Sequence, residues 1–394
     1  MPARVLYVVD HLSRCGTTDL VESLATHLDR TRFEPRVLCL RAEGEDFPPA
    51  LRGAQEEGRR RFEALEVSAR MLWLPAHGGR WQRLAPLGRL LAEERIAVVH
   101  AHSRPADWWS TLAATRSRTP VRLYSRQATY GGMSAPTRLR YALAARLASR
   151  VIAVSRAVAG ELLRVERVPR RKLELIYDGI DFAPLARVAP AAATRAKLGI
   201  PADAPVVGTV ATFHARKGHR FLVDAARCLA ARHADARYLC VGDGPERPAV
   251  ERRVAEAGLA ARFHFVGYRT DFLDLMAAMD VFVLPSLWEG FNLSLLHACA
   301  LGLGVVASNV GSNPEIVEDG VIGLLPTPAR HAVDATDLDA GALADAIGRF
   351  LAEPGLRRAF GAKARAAVVP RYGAPAMAER HAGLYARLLA ASRP

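Results

Sequence analysis

Glu289 is the residue whose setting points most directly to chemistry. It stands in the run FVLPSLWEGFNLSLLHACALGLGVVAS, Phe282 to Ser308, where a buried-strand pattern turns at Pro285-Ser286 and a helical pattern begins after Gly290. A strand that ends in a glycine-containing turn and enters a helix leaves the first helical amides without partners. Such a terminus binds phosphate readily, which makes Gly290, Phe291, Asn292 and Leu293 a candidate anion cradle. A carboxylate in the same turn can accept hydrogen bonds from sugar hydroxyls. Helix capping is the plainer role for Glu289, and the residues alone leave both open. His297 lies eight positions further on, just over two helical turns away.

Lys217 in ARKGH precedes Gly218 at the start of another helical pattern. A cation there can neutralise a diphosphate as charge develops on leaving; a surface lysine is the alternative. Its neighbour Arg216 reads as solvated. VVHAHS ends a strand with His100 and His102 on one side, because strand side chains repeat every two residues. Two histidines alone make a poor metal site. Arg126 closes the strand VRLYSR, where it can meet an acidic acceptor or phosphates, or simply pair with a carboxylate. Asp337-Leu338-Asp339 has the spacing of a metal-binding pair, but it stands just before a helical run and reads better as a cap.

The elements that must position these groups are legible as strand–helix alternation. Strand runs in the first half are RVLYVVD, EPRVLCL, AVVHAH, VRLYSR and RVIAVS; in the second half they are PVVGTVATF, ARYLCVG, RFHFVG, DVFVLPS, GVVASN and GVIGLLP. Continuous apolar strands separated by helices imply parallel sheets covered on both faces. The fold class is therefore α/β, with two Rossmann-like, doubly wound domains facing a central cleft, where ligands of such sheets bind. We place the first domain at 1–182, a Pro- and Ala-rich linker at 183–204, the second domain at 205–375 and a C-terminal helix at 376–394.

At 394 residues the chain exceeds one ordinary core, and half of it is hydrophobic. The opening MPARVLYVVD reads as a first buried strand rather than a signal peptide. Five scattered cysteines, odd in number and without metal-ligand spacing, fit a reducing cytoplasm. The net charge of +14 is uneven: residues 1–180 hold 30 Lys+Arg against 19 Asp+Glu, and the remainder 24 against 21. That asymmetry suggests an anionic partner for the first half, unless it reflects only an Arg-rich genome. The stretch Met71–Leu91, with Trp73, Trp81, Arg80, Arg83 and Arg89 among leucines, is able to rest on lipid, but packing a helix on the sheet is the plainer reading.

Taken in order, VGTVATFHARKGH, LCVGDGPER, FHFVGYRTDFLDLMAAMDVFVLPSLWEGF and SNVGSNPEIVEDGVIGLL, with VVHAHS and VIAVSRAVAGELL in the first half, resemble the family 4 retaining glycosyltransferases. The resemblance covers nearly the whole chain. It implies a B-type two-domain architecture and a nucleotide-diphosphate sugar as donor. Glu289 then touches the transferred sugar and Lys217 the diphosphate, with His102 at the position facing the cleft and Glu315 at the rear of the donor pocket. The acceptor is expected to be a saccharide or lipid-linked saccharide, with Arg126 on its side. No metal or other cofactor is implied. Nucleic acid is not an expected partner, whereas an anionic membrane surface at the inner face of the cytoplasmic membrane is. The last segment, APAMAERHAGLYARLLAASR, should be a helix that returns to the first domain.

Three positions depart from the family pattern. Thr212 stands where a second diphosphate arginine is usual, and His297 replaces the carboxylate that grips the ribose. Gly16 remains in the first loop, but Cys15 takes the place of its companion glycine. These departures keep a second reading alongside the transferase: a non-catalytic relative that binds a saccharide or a partner subunit. A nucleotide-sugar 2-epimerase shares the architecture but lacks its own signatures here.

Overall fold

The computed structural model describes residues 1–42, 49–75, 77, 80–104, 106–128, 133–326 and 337–392. The chain divides into two compact units, Met1–Ile180 with Gly373–Pro394, and Asp181–Tyr372.

The first unit is built on β1 (Ala3–Val9), β2 (Phe33–Ala42), β3 (Ser68–Leu74), β4 (Val98–Ala101), β5 (Val121–Arg126), β6 (Arg150–Ala153) and β7 (Leu173–Leu175), in the order β3-β2-β1-β4-β5-β6-β7. Every pairing is parallel. The second unit carries β8 (Val206–Val210), β9 (Arg237–Val241), β10 (Phe263–Gly267), β11 (Val281–Leu284) and β12 (Gly304–Ala307), in the order β10-β9-β8-β11-β12, again all parallel. Helices cover both sheets, so the central strands are buried on both faces and read as unbroken apolar runs. In each sheet the strand order reverses once, beside β1 and β4 in the first and beside β8 and β11 in the second. Loops leaving neighbouring strands at a reversal diverge, and the crevice between them is where such sheets bind ligands.

β3 and β7 were not among the expected strands. Both are edge strands, where one side faces solvent and the apolar run is broken: β3 carries exposed Ser68 and Arg70. GVIGLLP, in contrast, forms only isolated bridges, Val306 with Leu324 and Asp319 with Gly323. The residues read as a linker, 183–204, belong to the second unit and hold a helix, Ala191–Lys197. The Arg195 guanidinium anchors this segment, pairing with Asp280 at 2.9 Å and donating to the Ala278 carbonyl.

The helix Ala374–Ala391 belongs to the first unit. Its Tyr385 hydroxyl meets His100 Nδ1 at 2.7 Å, and Met377 Sδ accepts from the Gly179 amide. In Met71–Leu91, the helix Arg80–Glu93 buries Leu84, Leu87 and Leu91, and Trp73 packs against the sheet core. Packing, rather than a lipid face, accounts for those leucines. The side chains of Arg80, Trp81 and Arg83 lie outside the described residues. Among the described residues, no helix is long and apolar enough to cross a membrane.

Candidate active site

The second unit brings together the two residues singled out for donor chemistry. Lys217 follows β8 and Glu289 follows β11, the two strands at the reversal. Lys217 Nζ donates to Glu289 Oε1 at 2.7 Å, and the Ser286 hydroxyl donates to the same oxygen at 2.6 Å. Only 4% of the Glu289 side chain and 11% of that of Lys217 are exposed. Burial by itself would raise the Glu289 pKa, but the charges of Lys217 and Arg216 outweigh it and hold the carboxyl below its ordinary range. Burial lowers the Lys217 pKa, against the pull of Glu289.

The backbone explains the approach. The Leu287 amide donates to the Arg216 carbonyl at 2.7 Å, tying the two loops together. Gly218 sits in the left-handed region at φ +67°, and a Cβ there would fall 1.9 Å from the Pro285 carbonyl oxygen. Only glycine permits this contact. Gly311, at φ +53°, presses in the same way on the Glu289 carbonyl.

Arg216 is not merely solvated, as its register suggested. Its guanidinium lies 4.7 Å from the Trp288 ring centre and approaches Glu289 Oε2 at 4.0 Å. Ser286 and Arg216 were both missed as site residues. The one local signal was a serine three positions before Glu289.

Past Glu289, Asn292 caps the helix Leu293–Leu301, its side chain accepting from the Leu295 amide at 2.8 Å. The amides of Leu293 and Ser294 in the first turn have no intrahelical acceptor, and groups of this kind are able to bind an anion. Gly290 and Phe291 are buried beside them, the Phe291 ring 5.4 Å from that of Tyr372.

His297 Nδ1 lies 2.9 Å from the Leu293 carbonyl, and its ring meets Phe272 edge-on at 5.3 Å. A carbonyl can only accept, so Nδ1 carries the proton and Nε2 is left as an acceptor. Burial pushes the imidazole pKa down to about 4. His297 is thus a neutral, single-acceptor substitute for a carboxylate.

Thr212 is exposed two residues past the end of β8. The Glu315 carbonyl accepts from the Tyr372 hydroxyl at 2.9 Å. His219, first in its helix, stacks on Phe213 at 3.9 Å with both ring nitrogens buried and unpaired. Asp339 caps its helix by accepting from the Ala342 amide at 3.0 Å.

In the first unit, His102 is 2% exposed beyond the end of β4, with neither ring nitrogen hydrogen-bonded. Burial, with the nearby His381, lowers its pKa to about 3. His100 is structural, held by Tyr385 and by Ser125 Oγ at 2.8 Å. An unpaired buried imidazole costs about 1–3 kcal/mol, a cost that His102 shares with His219 of the second unit.

Arg126 does not stand ready for an acceptor. It is 3% exposed, and its guanidinium is taken by Asp107 at 2.7 Å and Glu166 at 2.9 Å. Arg104 pairs with the other oxygen of Glu166. Gly16 opens the helix Gly16–His27 behind Cys15, whose Sγ accepts from the Thr18 amide at 3.5 Å. His11 Nε2 lies 3.6 Å from that sulfur; this contact raises the His11 pKa to about 9. Burial pushes the Cys15 thiol up, but His11 and Thr18 bring it below its ordinary value.

Residues 16–183 match the family described as Glycosyltransferase Family 4, and residues 204–353 match Glycosyl transferases group 1. The chain is 31% identical to the alpha-maltose-1-phosphate synthase of Mycobacterium tuberculosis over 76% of its own length and 81% of that protein's. This chain belongs to glycosyltransferase family 4. The glycosyltransferase is also 31% identical to the lipopolysaccharide core biosynthesis glycosyltransferase LpsE of Rhizobium meliloti, over 50% of this chain and 54% of that one. Its fold matches HepE of Anabaena, solved in complex with UDP and glucose, with a TM-score of 0.79 at 22% identity, covering 98% of this chain and 100% of the other.

Proposed function

We propose that this glycosyltransferase moves a sugar from a nucleotide-diphosphate donor to a saccharide or lipid-linked acceptor, with retained anomeric configuration, in cell-envelope polysaccharide or lipopolysaccharide synthesis. The observation that carries the reading is the buried Lys217–Glu289 pair at the β8–β11 reversal. Without donor, each charge neutralises the other. Arrival of the diphosphate offers Lys217 and Arg216 a stronger anion, with the amides of Leu293 and Ser294 completing the cradle. Glu289 is then free to accept from the hydroxyls of the transferred sugar, still held in place by Ser286.

In the transfer step the C1–O bond to the diphosphate breaks and a bond from C1 to the acceptor oxygen forms on the same face. The acceptor proton passes to the departing phosphate oxygen, so charge is conserved. Lys217 stabilises the growing charge on the leaving group. His102, neutral and unpaired in the first unit, is assigned a hydrogen bond to a saccharide. His297 Nε2 accepts from one ribose hydroxyl and Thr212 offers one hydroxyl to the phosphates, while Glu315 lines the rear of the pocket and Gly16 keeps the first unit's loop open to an anion. The LpsE and alpha-maltose-1-phosphate synthase similarities support saccharide chemistry of this kind.

A thermal-shift screen of UDP-, GDP- and ADP-sugars finds the donor, and proton NMR of the product reads the configuration at C1. The same anomer in donor and product is expected. An inverted product would overturn the front-face step.

A further inference from the structure

Leu139 is 73% exposed and Leu143 is 44% exposed, both on the helix Ala135–Leu147. Spaced i and i+4, they lie on one face, and Arg146 at i+7 continues it. Tyr141, Ala144 and Ala145 bury the opposite face. The helix carries Arg138, Arg140 and Arg146, all exposed, and no acidic residue. At its C-terminal end, Lys172 Nζ donates to the carbonyls of Arg146 and Ala148, which fixes the turn Arg170–Lys172 against it. Burial and the crowding of Arg122, Arg171 and Arg150 lower the Lys172 pKa.

Residues 121–180 hold 12 Lys+Arg against 4 Asp+Glu, so most of the first half's excess charge is concentrated here. Each of the four acids is buried or ion-paired. Glu166 and Asp178 are buried, Glu161 pairs with Arg164, and Glu174 pairs with Arg150.

We propose that the helix Ala135–Leu147 and the turn Arg170–Lys172 dock this enzyme on an anionic phospholipid membrane. The leucines enter the boundary between headgroups and acyl chains, and the arginines extend their stems along it to reach phosphate. A polyanion without an apolar layer, such as nucleic acid, would leave both leucines without a place. The proposal deepens the acceptor side of the reading above by naming the surface on which a lipid-linked acceptor would be met.

Co-sedimentation with phosphatidylcholine vesicles, with and without phosphatidylglycerol, tests it. Binding is expected on the phosphatidylglycerol vesicles and should weaken with added salt. Leu139→Ser/Leu143→Ser and Arg138→Gln/Arg146→Gln should each lose about tenfold or more in affinity. Circular dichroism and melting temperature confirm that each variant folds. Equal binding to both vesicle types would overturn the proposal, as would variants that bind like the parent. It also fails if sedimentation velocity shows a dimer that the leucine variant dissolves, because the leucines would then join two copies of the chain. No donor or acceptor is present in the assay, so its failure leaves the transferase reading untouched.

Discussion

Lys217 and Glu289 stand 72 residues apart in the chain and 2.7 Å apart in the fold. The pair is buried, so removing Lys217 leaves the Glu289 carboxylate with only Arg216, at 4.0 Å, to offset its charge. Lys217→Met should destabilise the enzyme by about 3–5 kcal/mol. Adding Glu289→Gln should restore part of the loss, because the stranded carboxylate is gone. Chemical denaturation of both single variants and the double variant reads the coupling. Strictly additive effects would mean that the pair does not interact in solution.

Gly218 and Gly199 share a φ of +67°, yet only Gly218 has a carbonyl where a Cβ would go. Gly199→Ala should cost about 1–2 kcal/mol, the price of a left-handed alanine. Gly218→Ala should cost more and also weaken nucleotide binding, since it must push the Lys217 loop away from Pro285. Melting temperature and calorimetry on both variants make the comparison. Equal losses would show that the loop contact is not tight.

Stability should fall on mild acidification. Burial lowers the pKa of His102 and His219 to about 3, and that of His297 and His381 to about 4, against 6.5 when unfolded. Below pH 6.5 the unfolded chain takes up protons that the folded chain refuses. The contribution is therefore complete above pH 6.5 and is lost as pH drops toward 4. Each histidine contributes up to about 1.4 kcal/mol per pH unit in that window. Asp178, whose pKa burial raises, offsets part of this in the opposite direction. The melting temperature should decline steadily from pH 7 to 5, and a level profile would mean that these imidazoles are solvated.

Cys15 should be the most reactive thiol. It lies at a helix N-terminus beside His11, a setting that favours thiolate. Brief iodoacetamide treatment at pH 7, followed by peptide mass spectrometry, should label Cys15 ahead of the exposed Cys228. Cys39, Cys240 and Cys299, whose pKa burial raises to about 12, should stay unlabelled. His11→Gln should remove the lead of Cys15; labelling in simple order of exposure would contradict the pairing.

Much of the fold was legible because central parallel strands are buried on both faces and announce themselves as apolar runs. β3 and β7 escaped because edge strands need no such run. Glu289 and Lys217 were legible from local features, a glycine turn entering a helix in each case. Their mutual contact was not, since it depends on which strands stand side by side at the reversal. The same holds for Arg216, whose place over Trp288 requires the β11 loop beside it. Arg126 looked free because its partners Asp107 and Glu166 lie 19 and 40 residues away. The residues between 183 and 204 looked like a linker because one ion pair, Arg195 with Asp280, anchors what composition alone leaves loose.

The most direct measurement is the effect of Glu289→Gln on turnover set against its effect on nucleoside-diphosphate affinity. Losing the charge from a hydrogen bond to the transferred sugar removes roughly 1.5–3 kcal/mol, about ten- to a hundred-fold. Turnover should fall by that factor, while calorimetric affinity for the free diphosphate holds or rises, because Lys217 no longer has a carboxylate to satisfy. Unchanged turnover, or an equal fall in turnover and diphosphate affinity, would contradict a role for Glu289 at the sugar.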